Sequence, residues 1–203
     1  MYNILFGVII CYLIGSIPCG YIIGKLVKKT DIREHGSGNT GATNVFRVLG
    51  KFWGIVTLVL DILKGLICVT FILSIFNDGI ISIEAVKIIF GFAAVLGHVY
   101  SVFLKFSGGI GVATGAGVFL GICPLATLIV IVVFSIILTI TRYVSLSSII
   151  SAIILPVCVY FIYNSKVYLI ISLVMSVIVV RRHKENIRRL ILGTENKIGT
   201  NIK

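Results

Sequence analysis

The sequence predicts an all-α integral membrane protein, a helical bundle of about seven transmembrane helices with glycine-rich loops on its cytoplasmic side. Hydrophobic residues make up 58% of the 203 residues and charged residues only 12%, about half the charged fraction of a typical soluble domain. The apolar residues form long blocks without amphipathic spacing, as membrane-spanning helices do. Two polar, glycine-rich segments interrupt them, and such backbone is tolerated at a membrane only where it is buried in protein or lines a watery cavity.

Seven apolar blocks are predicted as the spans, and several exceed about 17 residues, the length needed to cross the hydrocarbon. The first continues past signal-peptide length and has no basic residues before it, so it is predicted to be a permanent span. No separate soluble region is apparent, so residues 1–203 are predicted to form one domain. The blocks are 3–24, 52–76, 80–103, 110–122, 124–141, 146–163 and 166–180.

The fourth and fifth blocks are divided at Gly121-Ile122-Cys123-Pro124. Proline cannot donate a hydrogen bond to the preceding helical turn. Two short spans joined by a tight turn are predicted here, and one kinked helix is the alternative.

Charge placement predicts which way the bundle faces. With the N-terminus outside, the inward segments hold all of the 18 basic residues except Lys64, Lys87 and Lys166. Basic loops tend to face the cytoplasm, so both glycine-rich segments and the tail 181–203 are predicted to be cytoplasmic. The net charge of +11 then reflects loop anchors, and no nucleic-acid partner is expected because no basic stripe runs along a soluble domain. The inward segments are 25–51, 104–109, 142–145 and 181–203.

The apolar blocks also contain chemically active side chains for which a structural role is predicted. Asp61 and Lys64 stand one turn apart at membrane depth, and buried ions usually pair, so an ion pair that fixes a helix is favoured over a proton relay. The cysteines form no C-x-x-C pair and are predicted to be small core residues instead of disulfide or zinc ligands. They are Cys11, Cys19, Cys68, Cys123 and Cys158.

The first glycine-rich segment, residues 36–47, is predicted to bind an anion. Residues 36–38, Gly-Ser-Gly, can take positive φ and expose consecutive N–H groups. Asn39 or Thr40 is predicted to cap a short helix that Gly50 ends. The alternative is a flexible loop whose glycines only permit helix packing.

Thr40, Asn44 and Arg47 would share one face of that short helix, since they are spaced i, i+4 and i+7. A helix N-terminus and an arginine fork together suit a phosphate group. The segment is therefore predicted to be a phosphate site.

The second segment, residues 107–111, leads into the short fourth span, and its glycines repeat the pattern. Alone it is a weak signal, because small residues are common where membrane helices touch. His98 lies nearby at the end of the third span, as a site residue or as a buried structural one. Arg142 and Ser145 lie between the fifth and sixth spans, and Ser145 is predicted to cap the sixth.

The segment after the last span places His183 and Asn186 on one helix face, with Ile187, Leu190 and Ile191 against the membrane surface. An ordinary basic juxtamembrane anchor is the alternative.

In order along the chain, these segments resemble those of one family, the bacterial acyl-phosphate-dependent glycerol-3-phosphate acyltransferases. The matching segments cover nearly the whole chain. They are GSIPCGYIIGK (15–25), GSGNTGATNVFRVLGK (36–51), DILKG (61–65), GHVYSVFLKF (97–106), GVATGAGV (111–118), TRYVSLSS (141–148) and HKENIRRLILGTE (183–195).

The resemblance implies a multi-pass enzyme of the inner cell membrane with its active site on the cytoplasmic side. It would transfer a fatty acyl group from acyl phosphate to the sn-1 hydroxyl of glycerol 3-phosphate, in contact with membrane lipid. The enzyme that forms the acyl phosphate is an expected partner, and no cofactor or metal is expected.

Site roles follow from the resemblance together with the loop chemistry. The catalytic residues would be Ser37, Arg47, His98, His183 and Asn186. The substrate-binding residues would be Gly36, Gly38, Asn39, Thr43, Asn44, Gly108, Gly109, Gly111, Thr114, Arg142 and Ser145.

One departure from the family concerns the second segment, which usually reads Phe-Lys-Gly-Gly-Lys-Gly. Ser107 and Ile110 replace the two lysines here, and Lys105 is the neighbouring cation. Loss of a cation beside a dianionic substrate lowers transition-state stabilisation. A weak or silent lipid-binding paralogue is therefore one alternative.

A transporter is a further alternative, but no internal repeat is visible. The acyltransferases with a His-x4-Asp pair are excluded, because Thr40, Phe103 and Arg188 occupy the fifth position after the three histidines.

Overall fold

Every regular element in residues 2–77 and 79–199, the part of the chain that this computed structural model describes, is helical. Residues 1, 78 and 200–203 lie outside the described residues, including Lys203 of the predicted cytoplasmic tail. The helices are α1 (Tyr2–Ser16), α2 (Cys19–Lys28), α3 (Ala42–Leu49), α4 (Lys51–Ile67), α5 (Leu73–Phe76), α6 (Ile83–Val99), α7 (Val112–Ile122), α8 (Pro124–Thr141), α9 (Val144–Tyr163), α10 (Lys166–Arg182) and α11 (Lys184–Ile191).

Five helical segments of the described chain are long and apolar enough to cross a membrane, which confirms a multi-pass membrane protein. The helix α7 is apolar but has only 11 residues, and α10 has 17. The five segments are Asn3–Lys28, Lys51–Phe76, Ile83–Leu104, Pro124–Thr141 and Val144–Tyr163.

The chain divides into two compact units at Ile122 and Cys123. The boundary coincides with the predicted break: α7 ends at Ile122, and Pro124 is the first residue of α8. Pro is well suited to the first turn of a helix, where its missing N–H has no intrahelical partner. The predicted break is present, since Cys123 separates α7 from α8, and the division into two separate spans stays a prediction.

In the first unit, α1 packs against α6 because glycines let their backbones approach closely. A Cβ at Gly15 would collide with the carbonyl of Ala94, and one at Gly97 with the carbonyl of Tyr12. The adjoining core is apolar and includes the fully buried Phe90.

The first span is interrupted at residues 17 and 18, where Pro18 precedes α2. A π-helical turn at Cys68–Ile72 joins α4 to α5 and keeps Lys51–Phe76 one continuous span. Glycine also sets the packing of α4 on α7, because a Cβ at Gly117 would meet the carbonyl of Ile62.

The second unit contains α8, α9 and α10, of which α8 and α10 each pack against α9, followed by the short α11. Pro156 lies inside α9.

All five cysteines are free, and Cys11, Cys68 and Cys123 are buried, which confirms that these three serve as core residues.

Candidate active site

The first glycine-rich loop is held in shape by Asn44, a buried side chain of α3. Its Oδ1 accepts a hydrogen bond from the N–H of Ser37 at 2.8 Å, and its Nδ2 donates to the carbonyls of Ile32 at 2.7 Å and His35 at 3.1 Å. A Cβ at Gly36 would collide with Asn44 Oδ1. Both amide atoms of Asn44 are therefore used in hydrogen bonds that hold the loop in place.

Positive φ at this loop is confirmed, with values of 62° at Gly36 and 70° at Gly38. The predicted helix cap is wrong. The helix α3 begins at Ala42 behind Gly41, because Asn39 Oδ1 accepts the N–H of Gly41 at 3.0 Å and forms a turn there.

Thr40 therefore precedes the helix and is buried, and it is not on the face predicted for it. Asn44 and Arg47 remain one turn apart on α3, with Arg47 half-buried in its last turn. Thr43 is half-buried in the first turn. Gly50, with φ of 91°, ends the helix as predicted.

The N–H groups predicted to bind an anion are used by the fold itself. Ser37 N–H donates to Asn44, and Gly38 N–H donates to the carbonyl of His35 at 3.1 Å. In the second loop, Gly108 and Gly109 donate to the carbonyls of Val99 and His98, both at 3.0 Å. These four amides therefore have hydrogen-bond partners within the protein, and the predicted phosphate contact of the two loops stays a prediction.

His98 lies directly beneath the second loop, at the end of α6, and is buried. Its Nδ1 is 3.1 Å from Thr114 Oγ1, in a hydrogen bond whose direction depends on the tautomer. A Cβ at Gly109 would collide with His98 Nε2, and one at Gly108 with the His98 carbonyl. Glycine is thus required for the loop to lie against the imidazole. Gly111, with φ of 95°, then turns the chain into α7.

The predicted ion pair is confirmed within α4. Lys64 Nζ lies 2.8 Å from Asp61 Oδ1, and both side chains are almost completely buried. Lys64 also donates to the carbonyl of Ile17 at 3.1 Å, at the break between α1 and α2. Helix ends leave carbonyls without intrahelical partners, so Lys64 stabilises this break. Sequence reasoning missed this contact, because nothing local links Lys64 to a residue 47 positions earlier.

The two glycine loops meet at one small cavity in the first unit. Thr40 of the first loop and Gly108 of the second line it, together with Asp61, Lys64 and His98. Within the first unit, therefore, the two segments come together, as predicted from their shared sidedness.

In the second unit, the buried carboxylate of Glu195 gathers three side chains. Its Oε1 accepts from Ser145 Oγ at 2.9 Å and from Asn186 Nδ2 at 2.8 Å, and its Oε2 accepts from Arg189 Nε at 2.7 Å. Burial alone would raise the pKa of Glu195, but the bonds from Asn186, Arg189 and Ser145 outweigh it, so the pKa is lowered.

Ser145 is consequently not the predicted cap of the sixth span. The helix α9 begins at Val144, behind Tyr143, and the Ser145 hydroxyl binds Glu195 instead. Sequence reasoning assigned no role to Glu195. The sequence did contain a signal for this role, because Glu195 is a single carboxylate that follows the basic residues of α11.

His183 joins α10 to α11 and is buried. Burial lowers its pKa, while the hydrogen bond from Nδ1 to the Val179 carbonyl at 2.8 Å and the charge of Glu195 partly oppose that shift. The imidazole is therefore neutral near pH 7.

Ile191 is exposed on α11, in keeping with the predicted surface contact, while Ile187 and Leu190 are half-buried.

Arg142 ends α8 in the left-handed conformation, and its carbonyl accepts the N–H of Ile198 at 2.8 Å.

Among the described residues, no three His, Cys, Asp or Glu side chains are grouped as a metal site would require.

Comparison with known proteins gives consistent matches over nearly the full length. The model of the glycerol-3-phosphate acyltransferase family matches residues 5–193. A glycerol-3-phosphate acyltransferase of Staphylococcus aureus (strain Newman) is 49% identical over 195 residues, covering 94% of this chain and 95% of that protein. Another, from Endomicrobium trichonymphae, is 46% identical over 191 residues, covering 94% of each protein.

The fold is similar to crystal structures of PlsY (YgiH), an integral membrane glycerol 3-phosphate acyltransferase. The glycerol 3-phosphate form of PlsY has a TM-score of 0.88 and 42% identity, covering 97% of this chain and 96% of PlsY. The lysophosphatidic acid form has a TM-score of 0.85 and 41% identity, with the same coverage.

The helical fold and these matches define the chain as an integral membrane acyltransferase. It belongs to the glycerol-3-phosphate acyltransferase family.

Proposed function

We propose that this enzyme transfers a fatty acyl group from acyl phosphate to the sn-1 hydroxyl of glycerol 3-phosphate and so produces 1-acyl-glycerol 3-phosphate. The observation that carries the proposal is the close match to PlsY, whose structures hold glycerol 3-phosphate in one form and lysophosphatidic acid in another. These are the acceptor and the product of the proposed reaction.

The donor would be a mixed anhydride, with phosphate as a good leaving group. Catalysis then requires mainly alignment of the attacking hydroxyl and stabilisation of developing charge. Loops that are held in place by hydrogen bonds can provide this alignment. The hydrogen bonds of Asn44 and His98 support the proposal, because they hold the two glycine-rich loops in place.

We assign phosphate binding to Arg47. Arg47 is half-buried on α3, the helix that Asn44 fixes to the loop, and an arginine fork matches phosphate geometry. Ser37 has an exposed side chain on a backbone anchored by Asn44, so we assign it to the glycerol 3-phosphate hydroxyl or the developing oxyanion.

We assign Asn44 to positioning, since both of its amide atoms are hydrogen-bonded to neighbouring backbone. We assign His98 the same role, since its Nδ1 is hydrogen-bonded to Thr114. Ser145 and Asn186 share this role, since each donates a hydrogen bond to Glu195. His183, kept neutral by burial, retains Nε2 as its basic nitrogen, which suits it to accept a hydrogen bond from a hydroxyl.

We propose that all seven predicted spans cross the inner membrane, with the N-terminus outside. The five long helices supply most of them, and α7 and α10 would be the remaining two. The cytoplasmic placement of the loops rests on the basic residues of the inward segments. The enzyme that forms acyl phosphate is the expected partner on that side.

The donor is tested by supplying purified protein with labelled glycerol 3-phosphate and, separately, palmitoyl phosphate, palmitoyl-CoA or palmitoyl-acyl carrier protein. Lysophosphatidate is expected from palmitoyl phosphate alone. Product from either thioester, with none from palmitoyl phosphate, would contradict the proposed donor and leave the family assignment intact.

The second loop offers a further prediction, because Ser107 is exposed and Ile110 is half-buried where the family carries lysines. Ser107→Lys with Ile110→Lys should raise kcat/KM for glycerol 3-phosphate roughly tenfold, since a cation stabilises the dianionic substrate. The pair Ser107→Gln and Ile110→Met serves as the uncharged control. A charged variant no faster than this control would show that the loop cation is dispensable.

A further inference from the structure

The cavity between the two glycine loops contains two polar atoms without hydrogen-bond partners in the described structure. They are Ser16 Oγ and Asp61 Oδ1. The side chain of Ser16 is 0% exposed, and that of Asp61 is 2% exposed. Leaving such a group buried and unsatisfied is destabilising, so both atoms require a bound partner.

We propose that the cavity is a binding site for one ordered water molecule, which bridges Ser16 Oγ and Asp61 Oδ1. The cavity volume of about 10 Å³ matches the space that one water occupies. Buried waters typically make about three hydrogen bonds to otherwise unsatisfied polar groups.

Charge selects water over an ion at this site. Lys64 Nζ lies 2.8 Å from Asp61 Oδ1 and balances its charge, but this contact lacks the geometry of a hydrogen bond, and Asp61 Oδ1 has no hydrogen-bond donor among the described residues. A metal cation would have to sit beside the ammonium, and an anion beside the carboxylate. Only a neutral donor satisfies Asp61 Oδ1 without adding charge to a buried pair.

The site also connects parts of the structure that shape the second loop. The carbonyl of Ser16 accepts a hydrogen bond from Ser101 Oγ at 2.6 Å. The carbonyl of Ser101 in turn accepts the N–H groups of Leu104 at 3.1 Å and Phe106 at 2.8 Å, at the turn that leads into this loop. Asp61 Oδ1 lies 3.7 Å from His98 Nδ1, beneath the same loop.

The bridging water thus fixes the end of α1 to α4 at the base of the candidate active site. Ser16 is a positioning residue that acts through this water, and the inference does not depend on which acyl donor the enzyme uses.

The direct test is a crystal structure of the full chain, grown in a lipid mesophase, at a resolution that shows ordered water. A peak within hydrogen-bond distance of both Ser16 Oγ and Asp61 Oδ1 is expected. A cavity without density would overturn the proposal. A thallium(I) soak with an anomalous peak in the cavity would overturn it in favour of a monovalent cation.

Ser16→Val and Ser16→Thr form a matched pair, because valine and threonine have nearly the same shape and differ in the hydroxyl. Ser16→Thr should keep the water peak and stay within threefold of the native kcat/KM, whereas Ser16→Val should lose the peak and about tenfold in kcat. Equal activity of the two variants would show that the hydroxyl and its water have no positioning role.

Ser172→Ala is the control for removing a buried hydroxyl. Ser172 is equally inaccessible, and its Oγ donates to the Leu169 carbonyl at 2.7 Å, within its own helix. Its removal should leave both the cavity water and the activity unchanged. A comparable loss of activity in Ser172→Ala would attribute the Ser16→Val effect to general destabilisation.

Discussion

Arg47 is the side chain through which the first loop is expected to contact substrate. Arg47→Ala should raise the KM for glycerol 3-phosphate roughly tenfold to a hundredfold, because a hydrogen bond to a charged group contributes about 1.5–3 kcal/mol. Initial rates over a range of glycerol 3-phosphate concentrations measure this.

The matched control is Arg33→Ala, since Arg33 pairs with Asp31 at 2.6 Å on the same connecting segment. The hydrogen bonds from Arg33 lower the pKa of Asp31 to about 2. The charged carboxylate of Asp31 therefore already balances the charge of Arg33. A KM that rises equally in both variants would remove Arg47 from the substrate site.

Glu195 makes stability depend on pH in a defined direction. Its pKa is lowered in the folded protein, so its contribution is present above the pKa of an unfolded glutamate and is lost as the pH falls through the folded pKa. The Tm of the native chain should therefore fall toward that of Glu195→Gln as the pH is lowered through the folded pKa, while at pH 7 the variant melts lower.

The control for that measurement is Glu34→Gln, which removes an exposed glutamate. Thermal unfolding followed across the pH series measures both variants. A constant Tm difference between the native chain and Glu195→Gln at every pH would refute the assigned role of the carboxylate.

For individual residues, the sequence indicated which side chains have a role but not which groups they contact. Asn44 and Ser145 were predicted to meet substrate or to cap a helix, and their partners are Ser37 and Glu195. Helical spacing predicts which residues share a face. It carries no information about a partner 50 positions away, such as Glu195 for Ser145.

Glycine sets the distance between whole elements in the first unit. Gly117→Ala should destabilise the α4–α7 contact strongly, because the new Cβ would meet the backbone carbonyl of Ile62, and overpacking typically costs about 1–3 kcal/mol. On the same helix, the Cβ of Gly121→Ala would meet a methyl group of the Val69 side chain and not a backbone atom, so this variant should cost less. Thermal unfolding in detergent compares the two variants, and equal losses would contradict this packing.

Helix existence was largely predictable from the sequence, because long apolar runs and Pro124 act locally. The short α3 was also predicted, together with its end at Gly50. Its beginning was not, because the turn made by Asn39 competes with capping and the helix starts one or two residues later than predicted. The break in the first span at Pro18 was missed, because a continuous apolar run conceals it.

For the whole molecule, the proposed orientation is tested by labelling single cysteines from the two sides of the membrane. Cys19 and Cys158, the partly exposed native thiols, are first replaced by serine. Lys51→Cys and Lys166→Cys, both at exposed positions, then report on opposite sides. In intact cells an impermeant maleimide should label Lys166→Cys and spare Lys51→Cys, and the reverse pattern would invert the proposed topology.

Only 11% of the residues in the span of α8 are fully buried, whereas α7 buries Gly115 and Gly117. Random mutagenesis followed by selection for growth should therefore treat the two helices very differently. Along α8 almost any apolar substitution should survive, so this helix is free to drift and to adapt to membranes of different lipid composition. At Gly117 on α7 even a methyl group should be rejected, so this residue will change slowest as the lineage diverges.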